Sequence, residues 1–212
     1  MNVYKKFITF EGIDFSGKTT QIQFLLSKLK EHGVEALLVR EPGGTVISEK
    51  IRELLLSSEH EEMNSITEIL LYEAARSQLV HQIILPALSE GEFVIADRFY
   101  DSTTAYQGFG RQLNMEVVNI LNSFATSNLK PYRTFFIDIS PEEAESRRMQ
   151  NNHWQDRLEK SGLEFYKKIR NGFLVLCSQE PKRFLRIDGE REPAIIFEEI
   201  WTIVKSIWDI EE

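Results

Sequence analysis

The chain has 212 residues, a formal net charge of −8, and 42% hydrophobic and 27% charged residues, a composition typical of globular proteins. The acidic charge argues against a nucleic-acid polymer as the main partner, because neutralising a phosphate backbone requires a basic surface. No apolar run reaches the roughly 18 residues of a membrane span, and the N-terminus lacks the apolar core of a secretion signal. We therefore expect no membrane partner and a cytoplasmic location.

Short apolar runs alternate with helical patterns along the chain. Such continuous runs are typical of parallel strands that are covered on both faces. Strands are predicted at 7–10, 36–40, 93–97, 133–139 and 183–188. Helices are predicted from the spacing of Ile22, Leu25, Leu26 and Leu29, after Ser140, and at about 64–89, 115–125, 161–178 and 193–208. The alternation predicts an α/β domain with a parallel sheet.

A glycine-rich loop follows the first predicted strand. It reads G-x-x-x-x-G-K-T from Gly12 to Thr19 and is followed by an amphipathic helix. Backbone N–H groups of such a loop wrap nucleotide phosphates, Lys18 reaches the β/γ oxygens, and Thr19 ligates Mg²⁺. The sequence therefore predicts a nucleoside triphosphate site. Its predicted residues are Gly12, Ile13, Asp14, Phe15, Ser16, Gly17, Lys18, Thr19 and Thr20.

The loop alone indicates only that the chain uses a nucleoside triphosphate. GTPases carry a base-reading N-K-x-D motif, which the sequence lacks, and large ATPases need a longer chain. A small kinase is the remaining class, and its acceptor has to be sought elsewhere in the chain.

Polar residues stand at the ends of two further predicted strands. Arg40 ends one strand within "LLVREPGGT", and Asp97 and Arg98 follow another within "FVIADRFYDSTTAYQGFGR". Ligands bind at the carboxyl ends of parallel strands. Asp97 there could hold Mg²⁺ through water, and Arg98 could grip a transferring phosphoryl group. The alternatives are a plain turn at Arg40 and an ordinary Asp97–Arg98 ion pair.

Aromatic and polar residues that could surround a flat ligand lie in two of the predicted helical segments. Tyr72 and Arg76 in "LLYEAARSQL" are four residues apart and so share one helix face. Thr103, Tyr106 and Gln107 are suited to packing and hydrogen bonding around a small polar molecule. The alternative for the first two is a surface Tyr–Arg pair.

Together these segments resemble the thymidylate kinase (dTMP kinase) family over nearly the whole chain. The matching segments stand in the family's order: "EGIDFSGKTT", "REPGGT", "LLYEAARSQL", "DRFYDSTTAYQGFGR" and "DRLEKSGLEFYKKIRNGFLVL". The resemblance implies a three-layer P-loop nucleoside monophosphate kinase fold: a five-stranded parallel sheet flanked by helices, with a short lid at about 141–158, in a single domain of residues 1–212. It further implies that a homodimer transfers the γ-phosphoryl of ATP to dTMP, with Mg²⁺ as cofactor.

The resemblance also implies roles around the acceptor phosphate. Arg40 and Arg98 would hold the dTMP phosphate, and Asp97 would serve the metal. Asp14 would accept from the sugar 3′-hydroxyl or orient the phosphates, and Pro42 would follow a cis peptide bond.

The base and sugar would be read by a second group of residues. Tyr72 stands where the family usually has a phenylalanine stacked on thymine, and Arg76 would contact a thymine oxygen. Thr103 would bond the base edge and Tyr106 would crowd the 2′ position, with Gln107 beside them.

The resemblance is to the lid-arginine type of the family, typical of many bacteria, because residues 13–16 lack the arginine that other members carry inside the phosphate loop. It therefore implies that the catalytic arginines come from the lid. Arg147 or Arg148 would reach the transferred phosphoryl, and the choice between them stays open, as does the effect of Phe15 in the loop. Lys18, Arg98, Arg147 and Arg148 are thus the predicted catalytic residues. The open alternatives are a kinase for another nucleoside monophosphate such as dUMP, a deoxynucleoside kinase, or a nucleotide-binding module without turnover.

Overall fold

The computed structural model describes residues 3–150, 157–158 and 161–211. The strands are β1 (Val3–Glu11), β2 (Ala36–Arg40), β3 (Phe93–Asp97), β4 (Lys130–Asp138) and β5 (Phe184–Asp188). They form one parallel sheet in the order β2-β3-β1-β4-β5. The predicted α/β class and five-stranded parallel sheet are confirmed, although β1 and β4 each begin several residues earlier than the apolar runs indicate.

The helices cover both faces of this sheet. They are α1 (Lys18–Glu31), α2 (Val46–Leu56), α3 (Ser65–Leu79), α4 (Leu85–Ser89), α5 (Tyr100–Thr103), α6 (Met115–Ala125), α7 (Pro141–Gln150), α8 (Leu163–Gln179) and α9 (Pro193–Ile207). The single helix predicted at 64–89 is divided by a wider π-helical turn, Val80–Ile84. Pro86 follows this turn at the start of α4. Proline lacks a backbone N–H, so a regular α-helical ladder cannot continue through it.

Alternating residues of the strands bury both faces of the sheet. Ile8 and Phe10 of β1 face α1 and α9, whereas Phe7 faces the side that carries α3 and α4. Phe10 is fully buried and stacks on Phe135 of β4 with ring centroids 5.1 Å apart. Truncating a core phenylalanine to alanine typically costs about 3–5 kcal/mol, so this central pair is a large contribution to the stability of the layers.

All the predicted ligand-binding segments meet at one edge of the sheet. Phe10 and Arg40 are both in register with Asp97, so β1, β2 and β3 end side by side. Parallel strands place their following loops at the same edge, which brings together segments far apart in sequence. Of the predicted lid at about 141–158, residues 151–156 lie outside the described residues. None of the described helices is long and apolar enough to cross a bilayer.

Candidate active site

The loop after β1 has a backbone that requires glycine at its first position. Gly12 has φ 144°, and a Cβ there would lie 2.5 Å from the Ile137 carbonyl oxygen. Gly17 has φ 97° immediately before α1 begins at Lys18. Phe15 is a non-glycine residue with φ 63°, in the left-handed region that costs side chains other than glycine about 1–2 kcal/mol. The loop therefore curls tightly and ends at a helix N-terminus, where backbone N–H groups and the helix dipole favour an anion.

Lys18 folds back over this loop. Its Nζ donates to the Ile13 carbonyl at 2.9 Å and the Gly12 carbonyl at 3.2 Å, with Ser16 Oγ at 3.3 Å. Burial, together with the nearby Arg98 charge, lowers the pKa of Lys18 to about 8. A buried ammonium held only by neutral oxygens at the loop is well placed to accept the charge of a phosphate.

Thr19 and Asp97, the two predicted metal residues, are brought together. Thr19 Oγ1 donates to Asp97 Oδ2 at 3.2 Å. A hydroxyl and a carboxylate beside a phosphate loop match the oxygen donors that Mg²⁺ prefers, so these residues fit the ion. No group of three or more His, Cys, Asp or Glu side chains suited to a metal occurs within the described ranges. Mg²⁺ commonly takes its other oxygens from substrate phosphates and water.

Arg98 joins the phosphate loop to a neighbouring cavity. Its backbone is left-handed, with φ 70°. Its Nη1 donates to the Gly12 carbonyl at 2.7 Å and to Ser102 Oγ at 3.1 Å, and its Nη2 donates to Asp14 Oδ1 at 2.6 Å. Burial raises the pKa of Asp14, but the Arg98 and Lys18 charges outweigh burial and hold that pKa below its usual value. Asp14 is thus ionised, and Arg98 is fixed between the loop and the cavity.

Glu11 holds the segment that follows Arg98 in place. This fully buried carboxylate ends β1 and accepts from the Phe99 N–H at 2.8 Å and from Ser102 Oγ at 2.5 Å. Burial, reinforced by the charge of Asp101, raises the pKa of Glu11 to about 8. The segment after β3 is therefore tied to the end of β1, and this sets the distance between Arg98 and the phosphate loop.

The cavity beyond Arg98 contains most of the predicted acceptor-binding residues. Tyr72 and Arg76 of α3 face Thr103, Tyr106 and Gln107 across it. Thr103 is 1% exposed and its Oγ1 has no hydrogen-bond partner among the described residues. The complete lining is Asp14, Glu41, Pro42, Arg52, Leu56, Tyr72, Arg76, Arg98, Ser102, Thr103, Tyr106, Gln107 and Leu158.

Two of the polar side chains in this lining, Asp14 and Arg76, are held in place by hydrogen bonds. The Tyr106 hydroxyl donates to Asp14 Oδ2 at 3.2 Å, and the Tyr166 hydroxyl donates to the same oxygen at 3.1 Å. Arg76 is 2% exposed and donates to Glu41 and Glu73. The alternative of a surface Tyr72–Arg76 pair is therefore wrong, because Arg76 is buried against carboxylates.

Arg40 does not line this cavity. Its Nη2 donates to Glu49 Oε1 at 2.9 Å, and Glu49 also accepts from the Gly44 N–H at 2.7 Å. Arg52 of α2 lines the cavity instead and donates to the Pro42 carbonyl at 3.0 Å. The Glu41–Pro42 peptide is cis, as the resemblance implies. Sequence reasoning missed Arg52, which carries no signal beyond being a basic residue seven positions after a candidate motif.

A groove on the other side of the phosphate loop was also missed. Residues 189–193, which follow β5, line it together with the loop and Arg147. "GEREP" is a polar, glycine-containing segment after a predicted strand, so the strand-end rule applied to Arg40 and Asp97 would have indicated it.

The two predicted lid arginines lie on different sides of the loop. Arg147 donates through Nη2 to the Gly189 carbonyl at 2.9 Å and approaches the Phe15 and Ser16 carbonyls at 3.4 and 3.5 Å. Arg148 pairs with Glu145 and lines a second cavity with Asp14, Phe15 and other residues. Arg147 therefore borders the groove and Arg148 borders the side that faces Asp14.

Comparisons with known proteins agree on one family. The family model described as thymidylate kinase matches residues 10–200. The chain is 46% identical over 201 residues to a thymidylate kinase of Thermoanaerobacter sp. (strain X514), covering 95% of this chain and 98% of the relative. It is 51% identical over 187 residues to that of Caldanaerobacter subterraneus subsp. tengcongensis, covering 88% of each. A crystal structure of thymidylate kinase from Ehrlichia chaffeensis superposes with a TM-score of 0.77 at 34% identity, covering 94% of this chain and 97% of that one. The fold, the loop at the carboxyl edge of the sheet and these matches show that this chain belongs to the thymidylate kinase family.

Proposed function

We propose that the protein transfers the γ-phosphoryl group of ATP to dTMP, giving ADP and dTDP. The observation that carries this proposal is Arg98, whose Nη1 bonds the Gly12 carbonyl of the phosphate loop while its Nη2 bonds Asp14 at the cavity wall. A guanidinium at this position stands where a donor phosphate and an acceptor phosphate would meet. Membership of the family supports the same acceptor.

On the donor side, the loop from Gly12 to Thr20 would hold the ATP phosphates. Lys18 would leave its carbonyl partners for the β/γ oxygens, which is a stronger, charge-assisted interaction. Thr19 and Asp97 would hold Mg²⁺, which when bound neutralises developing phosphate charge. The groove formed with residues 189–193 would take the adenosine, and Arg147 beside it would contact the donor nucleotide.

On the acceptor side, the cavity would take the base and sugar of dTMP. The Tyr72 ring would stack on thymine, and Arg76 and Thr103 would hydrogen-bond its edge. Tyr106 and Gln107 would complete the pocket. Arg98 would hold the acceptor phosphate, with Arg52 as a second cation in the cavity wall. Arg40 reaches the acceptor only if it exchanges Glu49 for the phosphate.

Phosphoryl transfer requires alignment and charge neutralisation more than covalent help from the protein. The second pKa of a phosphate monoester is about 6, so the acceptor oxygen is already ionised near neutral pH and needs no strong general base. Arg98 and Lys18 would offset the charge of the transition state. Arg148, on the side that faces Asp14, is the better placed of the two lid arginines to reach the transferred group.

Steady-state ADP release tests the proposal. Purified protein is given ATP and Mg²⁺ with dTMP, dUMP, dCMP, dGMP or thymidine. We expect fast turnover with dTMP, slower turnover with dUMP and negligible turnover with thymidine, which offers no phosphate to Arg98. A thymidine rate comparable to that of dTMP would favour a deoxynucleoside kinase, and ATP binding without any turnover would favour a binding module.

We also propose a homodimer formed through α3 and α6. These adjacent helices expose apolar side chains, with Leu70 at 51%, Ile120 at 60% and Phe124 at 84%. Sedimentation should give a mass near twice the 24.7 kDa of the chain at micromolar concentration. Phe124→Asp should reduce that mass, whereas Ile195→Asp, also at an exposed apolar residue, should not. A monomeric wild-type protein would refute the dimer.

Two further parts of the proposal concern organisation and location. Residues 1–212 would form a single kinase domain, with a lid at about 141–158 that closes over the reacting phosphates and excludes water. The protein would act in the cytoplasm. Both stay predictions from the sequence.

A further inference from the structure

Behind the base cavity, one buried guanidinium is held by two buried carboxylates. Arg76 of α3 is 2% exposed, and Glu41 and Glu73 are 5% and 6% exposed. Arg76 Nε donates to Glu41 Oε2 at 2.7 Å, and Nη1 donates to Glu73 Oε1 at 2.5 Å. One carboxylate would be enough to balance the charge of Arg76. A second one adds negative charge away from water, and only its bond to Arg76 offsets the cost of that burial.

We propose that Glu73 is a positioning residue that fixes the orientation of Arg76 toward the base of the acceptor nucleotide. This inference rests on the proposed function and deepens it. With Glu41 on Nε and Glu73 on Nη1, the guanidinium cannot turn in its plane or swing out without losing one of the two bonds. The remaining nitrogen, Nη2, makes only a 3.4 Å approach to the Phe99 carbonyl. Nη2 is thus the nitrogen with the most donor capacity left for a ligand.

A fixed guanidinium discriminates between bases because it can only donate hydrogen bonds. Thymine and uracil present a carbonyl oxygen at the 4 position and would be accepted. Cytosine presents an amino group there, and its N–H would face the N–H of Arg76. If Arg76 could rotate, it could avoid that clash and bond another acceptor. By preventing the rotation, Glu73 would increase the selectivity for keto pyrimidines over amino pyrimidines.

Both carboxylates keep one buried oxygen, Glu41 Oε1 and Glu73 Oε2, without a hydrogen-bond partner among the described residues. Burial raises the pKa of Glu41 to about 7; the charge of Arg76 opposes the rise and that of Glu73 adds to it. The other charged groups that line the cavity are Asp14, Arg52 and Arg98. As the pH falls through about 7, Glu41 gains a proton, its bond to Nε weakens, and Glu73 becomes the main anchor of Arg76.

The test is Glu73→Gln, which keeps the shape of the side chain and one acceptor oxygen but removes the charge. The matched control is Glu35→Gln, at an exposed glutamate before β2. Turnover is measured with dTMP, dUMP and dCMP over pH 6–8. For Glu73→Gln we expect the KM for dTMP to rise by about tenfold, with kcat within about threefold of wild type. The ratio of kcat/KM for dTMP over dCMP should fall by about tenfold.

A pH measurement separates positioning from a merely structural role. The midpoint at which the KM for dTMP changes should move to lower pH in Glu73→Gln, because Glu73 no longer raises the pKa of Glu41. Titration of the dTMP phosphate itself is the same for both proteins and cancels in the comparison. If the variant does not fold, Glu73→Asp replaces it, because aspartate keeps the charge but its shorter side chain draws the carboxylate away from Nη1 of Arg76. The ratio of kcat/KM for dTMP over dCMP should then fall, and an unchanged ratio in a folded Glu73→Asp would overturn the role of Glu73.

The outcomes are separable from those of the proposed function. Wild-type turnover that prefers another acceptor refutes the function itself, whatever the variant does. Wild-type turnover with dTMP, combined with an unchanged KM, base ratio and pH midpoint in a folded Glu73→Gln, overturns the role of Glu73. An equal loss of kcat with every acceptor also overturns it, because fixing Arg76 affects the base and not the chemical step.

Discussion

Replacing Arg98 by lysine should greatly impair transfer while leaving the fold intact. The guanidinium bonds through both of its terminal nitrogens. Nη1 donates to Gly12 and Ser102, and Nη2 donates to Asp14 at 2.6 Å and Tyr106 at 3.3 Å. A lysine ammonium keeps the charge but is a single point, so it cannot span both sides and hold a phosphate. Hydrogen bonds to charged groups contribute about 1.5–3 kcal/mol each. Losing the hydrogen bonds of one terminal nitrogen, including its phosphate contact, therefore raises the transition-state free energy by about 3 kcal/mol, which is a decrease of about 100-fold in kcat/KM.

The assay is ADP release with saturating ATP and varied dTMP, for Arg98→Lys and for the control Arg133→Lys. Arg133 lies on β4, where it contacts the ring and the carbonyl of Tyr132, so its substitution changes a contact outside the candidate site. Thermal unfolding checks that both variants fold. A folded Arg98→Lys with kcat/KM within threefold of wild type would show that Arg98 does not hold the acceptor phosphate.

Four further predictions follow from charged groups in and around the site. The pKa of Lys18 is lowered from 10.5 to about 8, so kcat/KM for ATP should decrease above pH 8, whereas an ordinary lysine would keep its charge to about pH 10. A constant kcat/KM up to pH 10 would contradict this. Asp97→Asn should raise the Mg²⁺ concentration needed for half-maximal turnover by about tenfold, and an unchanged requirement would remove Asp97 from the metal site. Arg183 pairs with the buried carboxylate of Asp101 at 2.6 Å. Arg183→Met leaves that carboxylate without this partner and should lower the free energy of unfolding in urea by about 3–5 kcal/mol; a decrease below about 1 kcal/mol would refute the role of the pair. Burial raises the pKa of Glu11 to about 8 and that of Glu41 to about 7, so the folded state binds more protons than the unfolded state above pH 4.5. Stability should therefore fall by about 3–4 kcal/mol from pH 6 to pH 8, and a melting temperature that rises over this range would be the contrary result.

Local sequence patterns predicted the framework of this protein well. The apolar runs predicted β2 and β3 with the same bounds that the structure has. Gly12 and Gly17 indicated the loop that follows β1. The helix predicted at 64–89 was correct in type but wrong in continuity, because it contains the π-helical turn Val80–Ile84. Periodicity reports which face of a segment is apolar, and it does not distinguish an α-helical turn from a wider one.

Side-chain partners were predicted less well, as Arg40 and Arg76 show. Both stand in motifs, but Arg40 is paired with Glu49 outside the cavity and Arg76 is buried against Glu41 and Glu73. Arg147 and Arg148 are adjacent in sequence, yet Arg147 borders the groove and Arg148 the second cavity. Neighbouring helix positions point about 100° apart, so adjacent residues need not share a site.

The sequence by itself determined the fold class, the parallel sheet, the phosphate loop and the family resemblance, because each depends on patterns within a few consecutive residues. Only the tertiary structure decided which charges meet. Asp14 and Arg98 are 84 residues apart along the chain, and Arg147 and Phe15 are 132 residues apart. Such contacts depend on how helices and strand ends pack at the carboxyl edge of the sheet, and packing is a property of the whole fold. The parallel sheet brings these distant segments to one edge. The packing there then decides that Arg76 pairs with Glu41 and Glu73 and that Arg98 pairs with Asp14.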